Sequence, residues 1–138
     1  MKLVVDANVV ISALVGNSKT RELIVTIEPD LLTPEIIHNE IEEHEDLIAT
    51  KSGMDTDRVA QFIELLFQYI ETIPAREFYQ YIDRAEKVIG ETDPDDVLYL
   101  ACAIAADAAI WSDDADFSEQ QLVEVYETSD VIERFHVR

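Results

Sequence analysis

Asp6 ends the apolar run Leu3-Val4-Val5 and precedes a second apolar segment at 7–14. A short β-branched run reads as a buried strand and the segment after it as a helix. The carboxylate therefore falls at the carboxyl end of a strand, the edge where open α/β sheets bind ligands. The far end of the chain repeats the arrangement. Ala108-Ala109-Ile110-Trp111-Ser112 reads as another buried strand, and Asp113-Asp114-Ala115-Asp116-Phe117 follows it. Between them lie Glu40, inside a helix that follows a second strand, and Asp93, Asp95 and Asp96, which open a later helix. A parallel sheet gathers strand ends and helix starts at one edge, so these acids are candidates for one divalent-metal pocket. Carboxylate oxygens are hard ligands that select Mg²⁺ or Mn²⁺, whereas zinc would favour His or Cys. Crowded carboxylates without a cation repel one another and take up protons. Metal-assisted phosphodiester hydrolysis is the natural chemistry of such a pocket, with water activated at one cation and a leaving oxygen stabilised at a second.

The elements that must position these acids alternate in type. Residues 2–5 read as a strand, 8–14 and 18–27 as helices, and 30–33 as a second strand. Thr33-Pro34 reads as an N-cap followed by proline at the first helical position. The helix so opened carries Ile37, Ile41 and Ile48 on one face and stops at Gly53. Asp55 is placed to cap the next helix, whose stripe is Val59, Phe62, Ile63, Leu66, Phe67 and Ile70. A short strand at 71–73 precedes Pro74, and 78–89 reads as a helix halted by Gly90. Asp93-Pro94 starts another by the same cap-then-proline logic, with Leu98, Ala101, Cys102 and Ala105 as its apolar face. After the strand at 109–112 come a short helix near 118–121, an edge strand at 123–127 and a terminal helix at 129–135. Strands and helices in alternation predict a three-layer α/β/α fold around a parallel sheet of four to five strands.

Composition bounds the rest. The 138 residues suit one domain, 1–138, and nearly half are apolar, which excludes a disordered acidic chain. No apolar run reaches the roughly 18 residues of a membrane span, and Asp6 and Asn8 break the only amino-terminal candidate for a leader. A soluble cytoplasmic protein without membrane association is expected. Cys102, the lone cysteine, reads as a buried inert thiol. The formal charge is −20, from 30 acidic and 10 basic residues, and setting aside four metal-binding acids leaves −16. That excess belongs to the surface and suits a halophilic source, where salt screens self-repulsion. No basic patch for nucleic acid is visible; Lys19, Arg21 and Lys51 are the nearest cations in sequence.

Each acid also has an ordinary reading. Glu40 belongs to the acidic helix run Glu40-Ile41-Glu42-Glu43-His44-Glu45-Asp46. Asp96, three residues after Asp93, has the spacing of a capping box. Asp113, Asp114 and Asp116 have the composition of an acidic turn. One pocket is the simpler account of all four points together. His38 and His44 are six apart, which misses the i, i+4 zinc spacing and reads as a solvated face. Tyr79, Tyr81 and Tyr99 read as packing residues before base-stacking ones.

Four segments carry a family resemblance. Val4-Val5-Asp6-Ala7-Asn8-Val9-Val10-Ile11-Ser12-Ala13-Leu14 resembles the first motif of PIN-domain ribonucleases, a family that includes VapC-like toxins. Thr33-Pro34-Glu35-Ile36-Ile37-His38-Asn39-Glu40-Ile41 resembles the second, Asp93-Pro94-Asp95-Asp96-Val97-Leu98-Tyr99-Leu100-Ala101 the third, and Ile110-Trp111-Ser112-Asp113-Asp114-Ala115-Asp116-Phe117 the fourth. The resemblance implies metal-binding acids at Asp6, Glu40, Asp96 and Asp114, with Asp116 auxiliary and Ser112 as a hydroxyl that orients a ligand. It implies a Mg²⁺- or Mn²⁺-dependent endoribonuclease acting on single-stranded RNA, with an antitoxin protein as partner and a homodimer as the working form. The alternative is a non-catalytic PIN-like module that binds RNA or protein. A phosphatase of another doubly wound fold would want Asp-x-Asp after the first strand, and Asn8 stands at the third position.

Overall fold

The computed structural model describes residues 1–89, 91 and 93–136. Five strands form one all-parallel sheet in the order β3-β2-β1-β4-β5: β1 is Lys2–Val5, β2 Asp30–Pro34, β3 Ile70–Ile73, β4 Ala109–Trp111 and β5 Val125–Tyr126. Central β1 buries Leu3, Val4 and Val5 completely, as expected of a strand covered on both faces. The sheet grows from β1 to β3 in one direction, through α1 (Ala7–Leu14), α2 (Ser18–Thr26), α3 (Ile37–Glu43), α4 (Glu45–Ser52) and α5 (Thr56–Leu66). It then returns to the other side of β1 through α6 (Ile82–Ile89) and α7 (Pro94–Ala106). Right-handed crossovers running in opposite directions put the two helix groups on opposite faces, which makes three layers. α7 packs on β1, β2 and β4, and α6 packs on α7. α8 (Thr128–Phe135) closes against β5 and α2. The strand order reverses between β1 and β4, so the crevice of a doubly wound sheet opens beyond their carboxyl ends, where Asp6 and Ser112 stand. No helix among the described residues is long and apolar enough to cross a membrane.

Several boundaries differ from the sequence expectation for identifiable reasons. Thr33 and Pro34 do not cap a helix; they end β2, paired with Thr72 and Ile73, and the Thr33 hydroxyl donates to the Val5 carbonyl at 3.0 Å. The helix expected from Pro34 to Gly53 is two, broken at His44. There the imidazole Nδ1 takes the Glu40 carbonyl at 2.8 Å, and the His44 amide turns to Ile41 instead. A run of like charges adds to the weakness of that turn. Gly53 does end α4, with a left-handed φ of 74°, and Asp55 does cap α5 through the Arg58 amide. Ile70, assigned to the α5 stripe, is the first residue of β3. Residues 75–81 form two 3₁₀ turns before α6, with the Phe78 ring buried between them. Gly90 lies outside the described residues. On α7 the buried side extends well beyond the expected stripe, to Val97, Tyr99, Leu100 and Ala103, while Leu98 and Ala105 are only half-buried. The short helix expected near 118–121 is a 3₁₀ turn at Ala115–Glu119, and the last strand shrinks to two residues.

Candidate metal centre

Asp6 sits in the crevice because its backbone belongs to two elements. Its amide extends the β1–β4 pairing by donating to the Trp111 carbonyl at 3.0 Å, and its carbonyl accepts from Val9 and Val10 as α1 begins. The side chain makes no capping bond. It is buried, and its Oδ2 accepts from the Ser112 hydroxyl at 2.7 Å. Burial raises the Asp6 pKa; the Ser112 bond opposes this and the Asp114 charge adds to it.

Ser112 also accepts the Asp114 amide at 3.0 Å, so one hydroxyl ties the end of β1 to the loop after β4. Asp114 Oδ1 accepts from the Asp116 amide at 2.9 Å and starts the 3₁₀ turn. Asp113 points elsewhere. Its two oxygens accept from the amide and hydroxyl of Thr128, both at 2.7 Å, at the start of α8. The Thr128 oxygen in turn accepts from the indole Nε1 of buried Trp111 at 3.0 Å. This anchor fixes the loop that carries Asp114 and Asp116.

Asp93 caps α7 through the Asp95 amide at 2.9 Å, and Pro94 follows as expected. Asp96 does not close a capping box. Its carboxylate enters the crevice, where one oxygen each from Asp96, Asp114 and Asp116 lie within 4.8 Å of one another. Asp96 Oδ2 is buried with no hydrogen-bond partner. Burial pushes the Asp96 pKa up to about 8, with Asp116, Asp114 and Asp6 contributing. Glu40 stands apart from this trio. Its Oε1 accepts from the Tyr99 hydroxyl at 2.9 Å, and its pKa is pushed up to about 7, first by burial, with Tyr99 opposing and Asp95 and Asp6 adding. Asp6 is thus charge-coupled both to the trio and to Glu40. Burial and the Glu40 charge raise the Tyr99 pKa, which keeps its hydroxyl a donor. The sequence reading treats Tyr99 as packing; the signal for its contact is the i, i+3 spacing from Asp96, which puts both on one face of α7.

An orphaned buried carboxylate oxygen beside two further carboxylates fits a hard divalent cation, and the donors are all oxygen. The amino ends of α1 and α7 meet here and offset part of the negative charge. Two of the expected cations, Arg21 and Lys19, are committed elsewhere. Arg21 donates to the Ala13 carbonyl through Nε at 3.3 Å and its terminal nitrogen at 2.9 Å, and lies 4.4 Å from the Phe62 ring centroid. That is the far end of α1, about 10 Å of helix from Asp6. Lys19 pairs with Glu22 and His136, and Lys51 is exposed in the last turn of α4. His38 packs on Phe67 with ring centroids 4.9 Å apart, and His44 stays exposed. Cys102 is buried, its thiol pushed up to about 12 by that burial.

Comparison with known proteins agrees with this geometry. The chain is similar in structure to a chain of a toxin-antitoxin complex from Klebsiella pneumoniae, with a TM-score of 0.68 at 14% identity, covering 91% of this chain and 99% of that one. It is similar also to a chain of VapBC2 from Rickettsia felis bound to a DNA fragment from their promoter, with a TM-score of 0.72 at 12% identity, covering 92% and 98%. At such identities the likeness is one of fold. No curated protein matches in sequence. The PIN domain family, however, matches residues 4–131, a span that takes in all four acidic segments, and the chain therefore belongs to the PIN-domain family.

Proposed function

We propose that this protein is a Mg²⁺- or Mn²⁺-dependent endoribonuclease that cleaves single-stranded RNA in the cytoplasm, and that it is the toxin of a toxin–antitoxin pair, working as a homodimer. The observation that carries the metal-dependent reading is that the Asp96 carboxylate, whose buried Oδ2 has no partner, clusters with those of Asp114 and Asp116. Asp6, Asp96, Asp114 and Asp116 would hold the cation, with Glu40 at the rim. A divalent ion there supplies Lewis acidity toward a phosphate oxygen and lowers the pKa of water. The chain's own part is to hold the ligands in place: Ser112 fixes Asp6 against Asp114, and the Asp113–Thr128–Trp111 anchor fixes the loop behind them. The toxin assignment is supported by family membership and by two neighbours of the same fold, one from a toxin–antitoxin complex and one from VapBC2.

A non-catalytic binding module is the second reading, favoured by the commitment of Arg21 and Lys19 away from the crevice. The two separate in one experiment at high salt. The nuclease binds Mn²⁺ and cleaves single-stranded RNA, and either Asp6→Asn or Asp96→Asn abolishes cleavage while leaving the fold intact. RNA binding without cleavage, indifferent to Mn²⁺ and to both substitutions, would establish the module instead.

A further inference from the structure

Among the acids of the crevice, Glu40 alone has a long side chain, with one more rotatable bond than aspartate to order. Its platform is also short. α3 has seven residues, its N-cap Ile36 contributes no side-chain bond, and it breaks at His44 four residues after Glu40. Asp6 and Asp114 are held by bonds to Ser112 and to the Asp116 amide. The corresponding partner of Glu40 is the Tyr99 hydroxyl, at 2.9 Å.

Tyr99 is well placed to be rigid. It is 1% exposed, lies in the middle of the thirteen-residue α7, and shares a face with Asp96 one turn earlier. Thr33 lies beside its hydroxyl, but the Thr33 proton is donated to the carbonyl of Val5, the residue before Asp6. The Tyr99 proton is directed at the carboxylate on α3. A buried tyrosine hydroxyl needs an acceptor, and the one that takes the Tyr99 proton is the Glu40 carboxylate.

We propose that Tyr99 is a positioning residue, whose hydroxyl holds Glu40 Oε1 so that Oε2 is left to a divalent cation in the crevice. The inference rests on the metal-dependent reading above. α7 thereby serves the pocket twice, with Asp96 directly and with Tyr99 through Glu40.

The test is a double-mutant cycle on the metal-free full chain in molar KCl, reading Mn²⁺ affinity by calorimetry and thermal unfolding in parallel. Tyr99→Phe keeps the ring and removes the hydroxyl. It should weaken Mn²⁺ binding about tenfold, the scale of one lost hydrogen bond to a charged group. In a Glu40→Gln background the same substitution should add no further loss, because the residue through which it acts has gone. A lowered melting temperature with unchanged Mn²⁺ affinity, or the same loss in both backgrounds, overturns the inference and leaves the metal site standing. Absence of Mn²⁺ binding in the wild type overturns the metal-dependent reading itself. A second measurement needs no substitution at Tyr99. With the five tyrosines carrying ¹³C at the ring carbon that bears the hydroxyl, assigned by replacing the other four, Mg²⁺ should move the Tyr99 resonance. A Tyr99 resonance unmoved at saturating Mg²⁺ overturns the inference.

Discussion

Asp96 Oδ2 is stripped of water by burial and reached by no donor, while the carboxylates of Asp114 and Asp116 crowd the same side chain. In the metal-free protein the cheapest relief is protonation, which is why the Asp96 pKa rises to about 8 and that of Glu40 to about 7. Unfolding returns both groups to ordinary values near about 4. The folded state therefore binds more protons than the unfolded state between those limits. This contribution to stability is fully present below about pH 4 and is lost as pH rises through about 7 and 8. Surface repulsion among the other acids slopes the same way, so the wild type alone does not isolate it. Asp96→Asn does, because the amide never ionises. The substitution should stabilise the metal-free protein by roughly 1–3 kcal/mol at pH 8 and by little at pH 4. Mn²⁺ should raise the melting temperature of the wild type and leave that of Asp96→Asn nearly unchanged. The measurement is a pair of melting-temperature curves across pH; parallel curves for the two proteins would mean that Asp96 is not a buried, repelled carboxylate.

At the scale of elements, neighbouring acids separate by what their helices and strands ask of them. Asp113 and Asp114 are adjacent, yet one binds the first residue of α8 and the other belongs to the trio. Asp113→Ala should cost about 1 kcal/mol of stability, as loss of a helix-start bond does, and leave Mn²⁺ affinity intact. Asp114→Ala also loses a helix-start bond, so it should cost a similar amount and in addition abolish Mn²⁺ binding; denaturant unfolding beside calorimetry separates them. The same contrast shows what was legible in the sequence. The apolar runs of β1 and β4 and the Asp93-Pro94 helix start are local signals, and the structure keeps them. Thr33-Pro34 carries the same local chemistry as Asp93-Pro94 but ends a strand, because the Thr33 hydroxyl is claimed by Val5 across the sheet. The break at His44 depends on an imidazole taking a carbonyl that the helix amide would otherwise use. That acids gather at the crevice follows from strand-end placement. Which of them come within contact range is set by side-chain distances between elements far apart in sequence, so Asp116 joins Asp96 and Asp114 while Glu40 stands off with Tyr99. No local pattern encodes that.

The whole molecule carries −20, and it is poorly compensated. Among the described residues the ion pairs are Lys19–Glu22 and His136–Glu22, both on one acid. Setting aside Asp6, Glu40, Asp96 and Asp114 still leaves −16, carried by exposed runs such as that on α3 and α4. In dilute buffer this charge repels itself and destabilises the compact state. In molar salt the Debye length shrinks to about 3 Å and the repulsion is screened. RNA meets the same field. A nuclease with a basic groove loses affinity with salt through counterion release, but here Arg21 and Lys19 are occupied away from the crevice, and the field that RNA encounters is largely repulsive. Screening should therefore help twice, by stabilising the fold and by lowering the electrostatic barrier to phosphate. Both the melting temperature and the rate of single-stranded RNA cleavage should rise between dilute and molar KCl at fixed Mn²⁺. A melting temperature indifferent to salt, together with cleavage that falls steeply, would point to a cationic RNA path and against adaptation of this surface to concentrated salt.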